Sequence, residues 1–197
     1  MSKYLPRILI GVVVGVLLYM LMLMLVGPGL QATWTGLFGG IATAYILSNL
    51  AGNRKVAMAA GADKEKALAL TPAPGKALLV VAREGFVAKL AGLNVAIDGR
   101  EFAQLKSPAF TTLEIVPGAH TLTAGFGGLA GAQSKAGAYE FEAADGAVVA
   151  VRIGVAMGLV QNAFKFTPLT EPAALRSKLA GMPMVLAEAP APQPFPS

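Results

Sequence analysis

The sequence contains no cysteine and a single histidine, His120. Those two scarcities exclude disulfides, thiolate metal ligands, a cysteine nucleophile, a lipidated cysteine anchor and any multi-histidine metal centre. Charge is scarce as well. Only 14% of the residues are Asp, Glu, Lys or Arg, while 55% are hydrophobic, against about 25% charged in an ordinary soluble domain. Acidic residues are absent from the first 62 positions. The formal net charge of +5 is spread along the chain, with no Lys/Arg cluster and no interleaved aromatics. It therefore offers no nucleic-acid footprint.

What is present begins with a long apolar run. Ile8 to Val26 contains no charged residue across 19 positions, which at about 1.5 Å per residue spans a hydrocarbon core of about 30 Å. After Gly27-Pro28-Gly29 a second uncharged run extends from about Trp34 to Leu50. Residues 1–51 are thus expected to form a transmembrane helical hairpin, because unpaired backbone groups are not tolerated in lipid. Lys3 and Arg7 precede the first run, and Arg54 and Lys55 follow the second. That bias places both termini and the downstream domain on the cytoplasmic side of a bacterial inner membrane, with two spans. A competing expectation treats the first run as a cleaved signal peptide, which would leave one span.

Small residues recur every fourth position in the second run, at Ala32, Gly36, Gly40, Ala44 and Ser48, and the first contributes Gly11 and Gly15. In helices these positions form stripes that permit close backbone approach. Two uses are open: packing the hairpin on itself, or assembling several copies. No ionisable side chain other than Tyr19 and Tyr45 lies in either run, which argues against a transport or proton pathway.

Beyond the hairpin, residues 52–75 read as a linker, a helical continuation ending at Thr71-Pro72-Ala73-Pro74-Gly75. Residues 76–169 read as an antiparallel β-sandwich of six or seven strands. Ala77 to Ala82 is a continuous apolar strand, and Val95 and Ile97 alternate before an Asp98-Gly99 turn. Leu113, Ile115 and Leu122 suggest a pair turned at Pro117-Gly118. Tyr139, Phe141 and Ala143 alternate with Glu140 and Glu142. Val149, Val151, Ile153 and Val155 share one face, and Phe164 and Phe166 complete the set. Residues 170–197 read as a short helix capped by Thr170, with Leu175 and Leu179 on one face, followed by an Ala/Pro tail expected to be disordered or extended.

The run from Asn94 to Gly99, then Leu113 to Leu122 with Pro117, Gly118 and His120, resembles the PEGA-type surface module and a related small bacterial domain of unknown function. The close match covers about 30 residues and consists mostly of turn chemistry. The resemblance implies a small β-sandwich with no catalytic residues to transfer. It also implies a membrane-associated or extracytoplasmic setting, which makes a periplasmic domain the second choice.

No motif builds an active site. Gly125-Phe-Gly127-Gly-Leu-Ala130 fits G-x-G-x-x-A in form only, since no helix or acidic ribose partner is expected after it; a loop or bulged edge is expected instead. Glu140 and Glu142 fit a solvated sheet face, Asp98 and Asp145 fit turns, and His120 fits a strand end. The expectation is therefore a non-enzymatic, membrane-anchored interaction or scaffold protein without cofactor, metal or catalytic residues. Its partners would be membrane lipid and either further copies of itself or a membrane protein complex. The other expectation is a lipid or small-molecule binder of the bacterial envelope, with the glycine-rich stretch Gly125 to Gly137 as a lid.

Overall fold

The computed structural model describes residues 4–132, 134–156 and 163–188, and the chain divides into two compact units. The first is built on two helices, α1 (Leu5–Val26) and α2 (Leu30–Asn49). Pro6 sits in the first turn of α1, where its missing N–H costs nothing. Gly27, at a φ of 86°, ends that helix and lets the chain reverse through Pro28-Gly29. A short 3-10 turn over Leu50–Gly52 follows α2.

The second unit contains eight strands: β1 (Ala77–Arg83), β2 (Leu93–Ile97), β3 (Arg100–Leu105), β4 (Ala109–Ile115), β5 (Gly118–Phe126), β6 (Gly137–Ala143), β7 (Val148–Ala156) and β8 (Ala163–Pro168). They form two four-stranded sheets, in the orders β4-β1-β7-β8 and β3-β2-β5-β6. Helices α3 (Gly61–Leu68), α4 (Gly128–Ala132) and α5 (Pro172–Ala180) complete the regular structure.

Two mostly antiparallel sheets and a C-terminal helix agree with the expected class, but three details differ. Strand β3 is additional. A bulge between Val95 and Ala96 shifts its register on β2, so that Phe102, Ala103, Gln104 and Leu105 are buried in succession and no alternation marks the strand. The sheets are not wholly antiparallel, because β1 runs parallel to β7 from Leu78↔Val148 to Arg83↔Ile153. Finally, Pro117-Gly118 does not turn a hairpin. Strand β4 pairs with β1, whereas β5 pairs with β2 and β6, so this turn carries the chain from one sheet to the other.

The continuous apolar character of β1 has a direct cause. Ala77, Leu79 and Val81 face the core shared by both sheets, with Leu93, Val95, Phe102, Leu105, Leu122, Val151 and Ile153. Leu78, Val80 and Ala82 face the other way, into a second core with Ala67, Phe110, Leu175, Leu179 and Met184. A strand covered on both faces has no polar side to display. The outer cover comes from α3 and α5, so the stretch expected to be a linker supplies part of a core.

That stretch is not a helical continuation of α2. Asn53 turns away by donating its amide to the Leu90 carbonyl at 2.8 Å and accepting the Gly92 N–H at 2.5 Å. The backbone N–H of Arg54 donates to Gln104 Oε1 at 2.8 Å, and its guanidinium pairs with Glu101 at 2.7 Å. At the other end of the chain, Glu171 rather than Thr170 is the N-cap of α5, without a side-chain bond, because Pro172 already occupies the first helical turn. The start of the expected tail is extended and docked. Val185 donates to Phe110 O at 2.8 Å, Leu186 to Ala57 O at 2.9 Å and Glu188 to Phe102 O at 2.7 Å. Residues 189–197 lie outside the described residues.

Candidate functional site

The helix-packing residues lie together between α1 and α2. A side-chain carbon built on Gly11 would stand 2.7 Å from Ala44 Cβ and 2.7 Å from the Gly40 carbonyl oxygen. One built on Gly15 would meet Gly36 O at 2.8 Å and Gly40 Cα at 3.2 Å. Gly11, Gly15, Ala32, Gly36 and Ser48 are buried, and Gly40 and Ala44 are half-buried. The glycine faces of the two helices are therefore turned toward each other, and one side of the seam opens as an apolar groove of about 440 Å³. Much of the rest of the helix surface is exposed and apolar, including Leu17 at 60% and Met24 at 87%.

In the sheet unit, the residues that carry the PEGA-type resemblance meet in space. Asp98 adopts a φ of 49° and Gly99 of 77°, the paired left-handed conformations of a tight hairpin turn between β2 and β3. The Asp98 carboxylate accepts the Thr121 N–H at 2.9 Å and lies 2.7 Å from His120 Nδ1, while His120 Nε2 lies 2.8 Å from the Val116 carbonyl. Both ring nitrogens face acceptors, so the imidazole is fully satisfied only when doubly protonated. Its ring also packs on Phe141 at 5.7 Å. Burial disfavours the charged ring, but the bonds to Asp98 and Val116 and the charges of Asp98 and Glu142 outweigh it, and the His120 pKa is raised. Burial likewise opposes ionisation of Asp98. The Thr121 N–H, His120 and Arg100 prevail and lower its pKa.

This pair has a pH signature. The His120 contribution to stability is complete below its unfolded pKa of about 6.5 and disappears as pH rises through the higher folded value. The Asp98 contribution is complete above its unfolded pKa of about 3.9 and disappears as pH falls through the lower folded value. Urea unfolding of the full chain in detergent at pH 5.5 and pH 9 is expected to show a stability advantage over His120→Gln at the lower pH only. That advantage should be no more than about 1 kcal/mol, since solvent screens the half-exposed Asp98. An equal difference at both pH values would remove the ionic account.

Sequence reasoning missed Arg83. It occupies the next inward position after Ala77, Leu79 and Val81 and is 1% exposed. Its guanidinium donates to the carbonyls of Ala91 and Leu105 at 2.5 Å each and of Ala88 at 2.7 Å, and stacks over the Phe126 ring at 5.2 Å. Burial lowers its pKa to about 10, so it remains cationic at neutral pH. Among the described residues, no carboxylate partners it. Arg83 ties the β1–β2 connection to the end of β3, a structural use that its position at the end of an apolar strand does not disclose.

A cleft of about 730 Å³ opens where the start of β7 and the end of β8 meet α5 and the end of α3. Val148, Ala150, Leu169 and Leu175 give it apolar walls, and Tyr139, Thr170 and Arg176 bring polar groups to it. The formal G-x-G-x-x-A pattern, where a loop or bulged edge and no helix is expected, instead runs into α4, a five-residue helix made of Gly, Ala and Leu. Among the described residues no three His, Asp or Glu side chains form a metal-binding set.

These features define a class only coarsely: an apolar helical pair followed by a two-sheet domain. No protein-family model matches the chain, and no curated protein matches it significantly.

Proposed function

We propose that this is a membrane-anchored, non-catalytic interaction module, held by the α1–α2 hairpin and presenting its sheets to a partner at the bacterial inner membrane. Helix α1 is long and apolar enough to cross a membrane, the one such helix among the described residues. Helix α2 is less apolar because it carries Gln31, Thr33, Thr35, Ser48 and Asn49. One observation carries the reading of α2 as a second span. Several of its polar side chains return to their own helix: Thr35 donates to Gln31 O at 2.9 Å, Thr43 to Gly39 O at 2.8 Å and Asn49 to Tyr45 O at 3.0 Å. Such back-bonding leaves those groups paired in lipid.

The kinship with PEGA-type modules belongs to the same proposal, supported by the convergence of Asp98, Gly99, Pro117, Gly118 and His120 around one corner. The sheet edges favour an interaction role. At one end, residues 183–188 pair with β4 at Phe110 and with β3 at Phe102, and residues 57–59 pair in turn with 183–188. At the other, β6 and β8 each pair on one side only among the described residues. A partner's extended strand could add to such an edge. Assembly of several copies through the helices would use their outer apolar faces, because the small residues are engaged within the hairpin.

The test combines fractionation with crosslinking in cells. Full-length protein should remain in membranes after an alkaline wash and give discrete adducts from a photo-crosslinker at Glu140 or Lys165. Release by the wash, or a first helix removed from the mature protein, refutes the two-span anchor. Absence of adducts at both open-edge positions refutes the interaction role.

A further inference from the structure

We propose that the cleft beside α5 is a binding site for a single-chain amphiphile with a carboxylate head, with Arg176 as the residue that receives the head group. This goes beyond the interaction role and does not depend on it, since the cleft lies wholly within the sheet unit. Its volume of about 730 Å³ falls within the range of about 300–1,000 Å³ typical of small-ligand sites.

The sign of the ligand's charge follows from the distribution of ions around the cleft. Among the described residues, no Asp or Glu lines it. The nearby helix has two basic residues of different status. Lys178 is paired with Glu84 at 2.6 Å, and Glu84 also faces Arg152 at 3.9 Å. Arg176, two residues earlier in the same helix and on the cleft, makes no ion pair among the described residues. A guanidinium left without a counterion at the mouth of an apolar cleft is complementary to a planar carboxylate, which it can grip with two parallel N–H donors. Tyr139 and Thr170 line the same cleft and carry hydroxyls, groups able to donate to a head group. Val148, Ala150, Leu169 and Leu175 suit a hydrocarbon tail. The single unpaired cation favours a single-headed acid over a neutral or cationic ligand.

The experiment uses the full chain in phosphatidylcholine nanodiscs, with octanoate as probe and octyltrimethylammonium as the opposite-charge control, both followed by ligand-observed NMR. Octanoate should bind saturably and at least about tenfold more tightly than the cation. Arg176→Gln should remove that preference, weakening octanoate by about tenfold or more, the equivalent of one charge-assisted contact. Ala173→Phe, which fills the cleft from an exposed position on α5, should abolish saturable binding of octanoate. Amide exchange of β1 serves as the folding control for both variants. Equal binding of anion and cation, or octanoate affinity unchanged in both variants, overturns the proposal. So does loss of octanoate binding on replacing part of the phosphatidylcholine with phosphatidylglycerol, which would assign Arg176 to bilayer head groups instead.

Discussion

Replacing Arg83 with Ala is expected to destabilise the full chain by on the order of 3–5 kcal/mol in urea unfolding, from the lost packing and the buried carbonyls left without a donor. The carbonyls of Ala88, Ala91 and Leu105 converge on one guanidinium. They come from the β1–β2 connection and from the last residue of β3. When that guanidinium is removed, the Ala91 and Leu105 carbonyls lose its charge-assisted bonds in a buried setting, the Ala88 carbonyl keeps only the Ala91 N–H at 3.0 Å, and the space beside Phe126 empties. Against a typical total stability of about 5–15 kcal/mol, the loss is a large share. Arg83→Lys should recover only part of it, since a compact ammonium cannot reach three separated acceptors as a planar fork does. Amide exchange should quicken first between Glu84 and Gly92. A loss below about 1 kcal/mol for the Ala variant would mean that the loop is held by its other contacts, such as the Ser107 hydroxyl donating to Gly85 O at 2.7 Å.

The second large effect is expected in the helices. A side chain at Gly40 would place its first carbon 2.8 Å from Gly11 O and 3.2 Å from Gly15 Cα. Those are backbone atoms and cannot rotate aside. Gly40→Leu should therefore force α1 and α2 apart, at a cost of about 3 kcal/mol or more, the upper part of the range for overpacked sites. Gly39→Ala is the informative neighbour, because its new carbon would meet only the flexible end of the Leu18 side chain, which can change rotamer. Amide exchange measured in micelles should rise along both helices for Gly40→Leu and change little for Gly39→Ala. Similar behaviour of the two variants would show that the helices do not meet on the glycine faces.

How much of this was legible beforehand depends on whether the signal was local. The turn at Asp98-Gly99, the alternation of Tyr139 and Phe141, and the paired Leu175 and Leu179 of α5 are properties of a few consecutive residues, and the chain displays them directly. The helix-packing stripes were equally visible, although sequence left open whether they would meet each other or another copy. The missing strand β3 was hidden because the bulge at Val95/Ala96 destroys the period of two on which strand detection depends. The parallel pairing of β1 with β7 is a long-range choice with no local mark. Arg83 and Arg176 illustrate the same limit from the side of charge. Both are single arginines in unremarkable settings, and only the fold assigns one to a buried cage of carbonyls and the other to an open cleft. Sequence also missed the docking of two segments: the stretch read as a linker buries Ala67, and residues 183–188, read as the start of a tail, pair with Phe102 and Phe110 and bury Met184.

The position of β1 at the centre of its sheet constrains the order of events during synthesis. Strand β1 is among the first parts of the sheet unit to leave the ribosome, yet its neighbour β7 begins only at Val148. Until then its edge toward β7 is unpaired, and the non-local contact must be closed against the entropy of the intervening loop. The outer face waits longer still, for Leu175, Leu179 and Met184. The nascent chain is thus most exposed to aggregation between the emergence of β1 and that of β7, and a chaperone acting on it would have its greatest effect in that window.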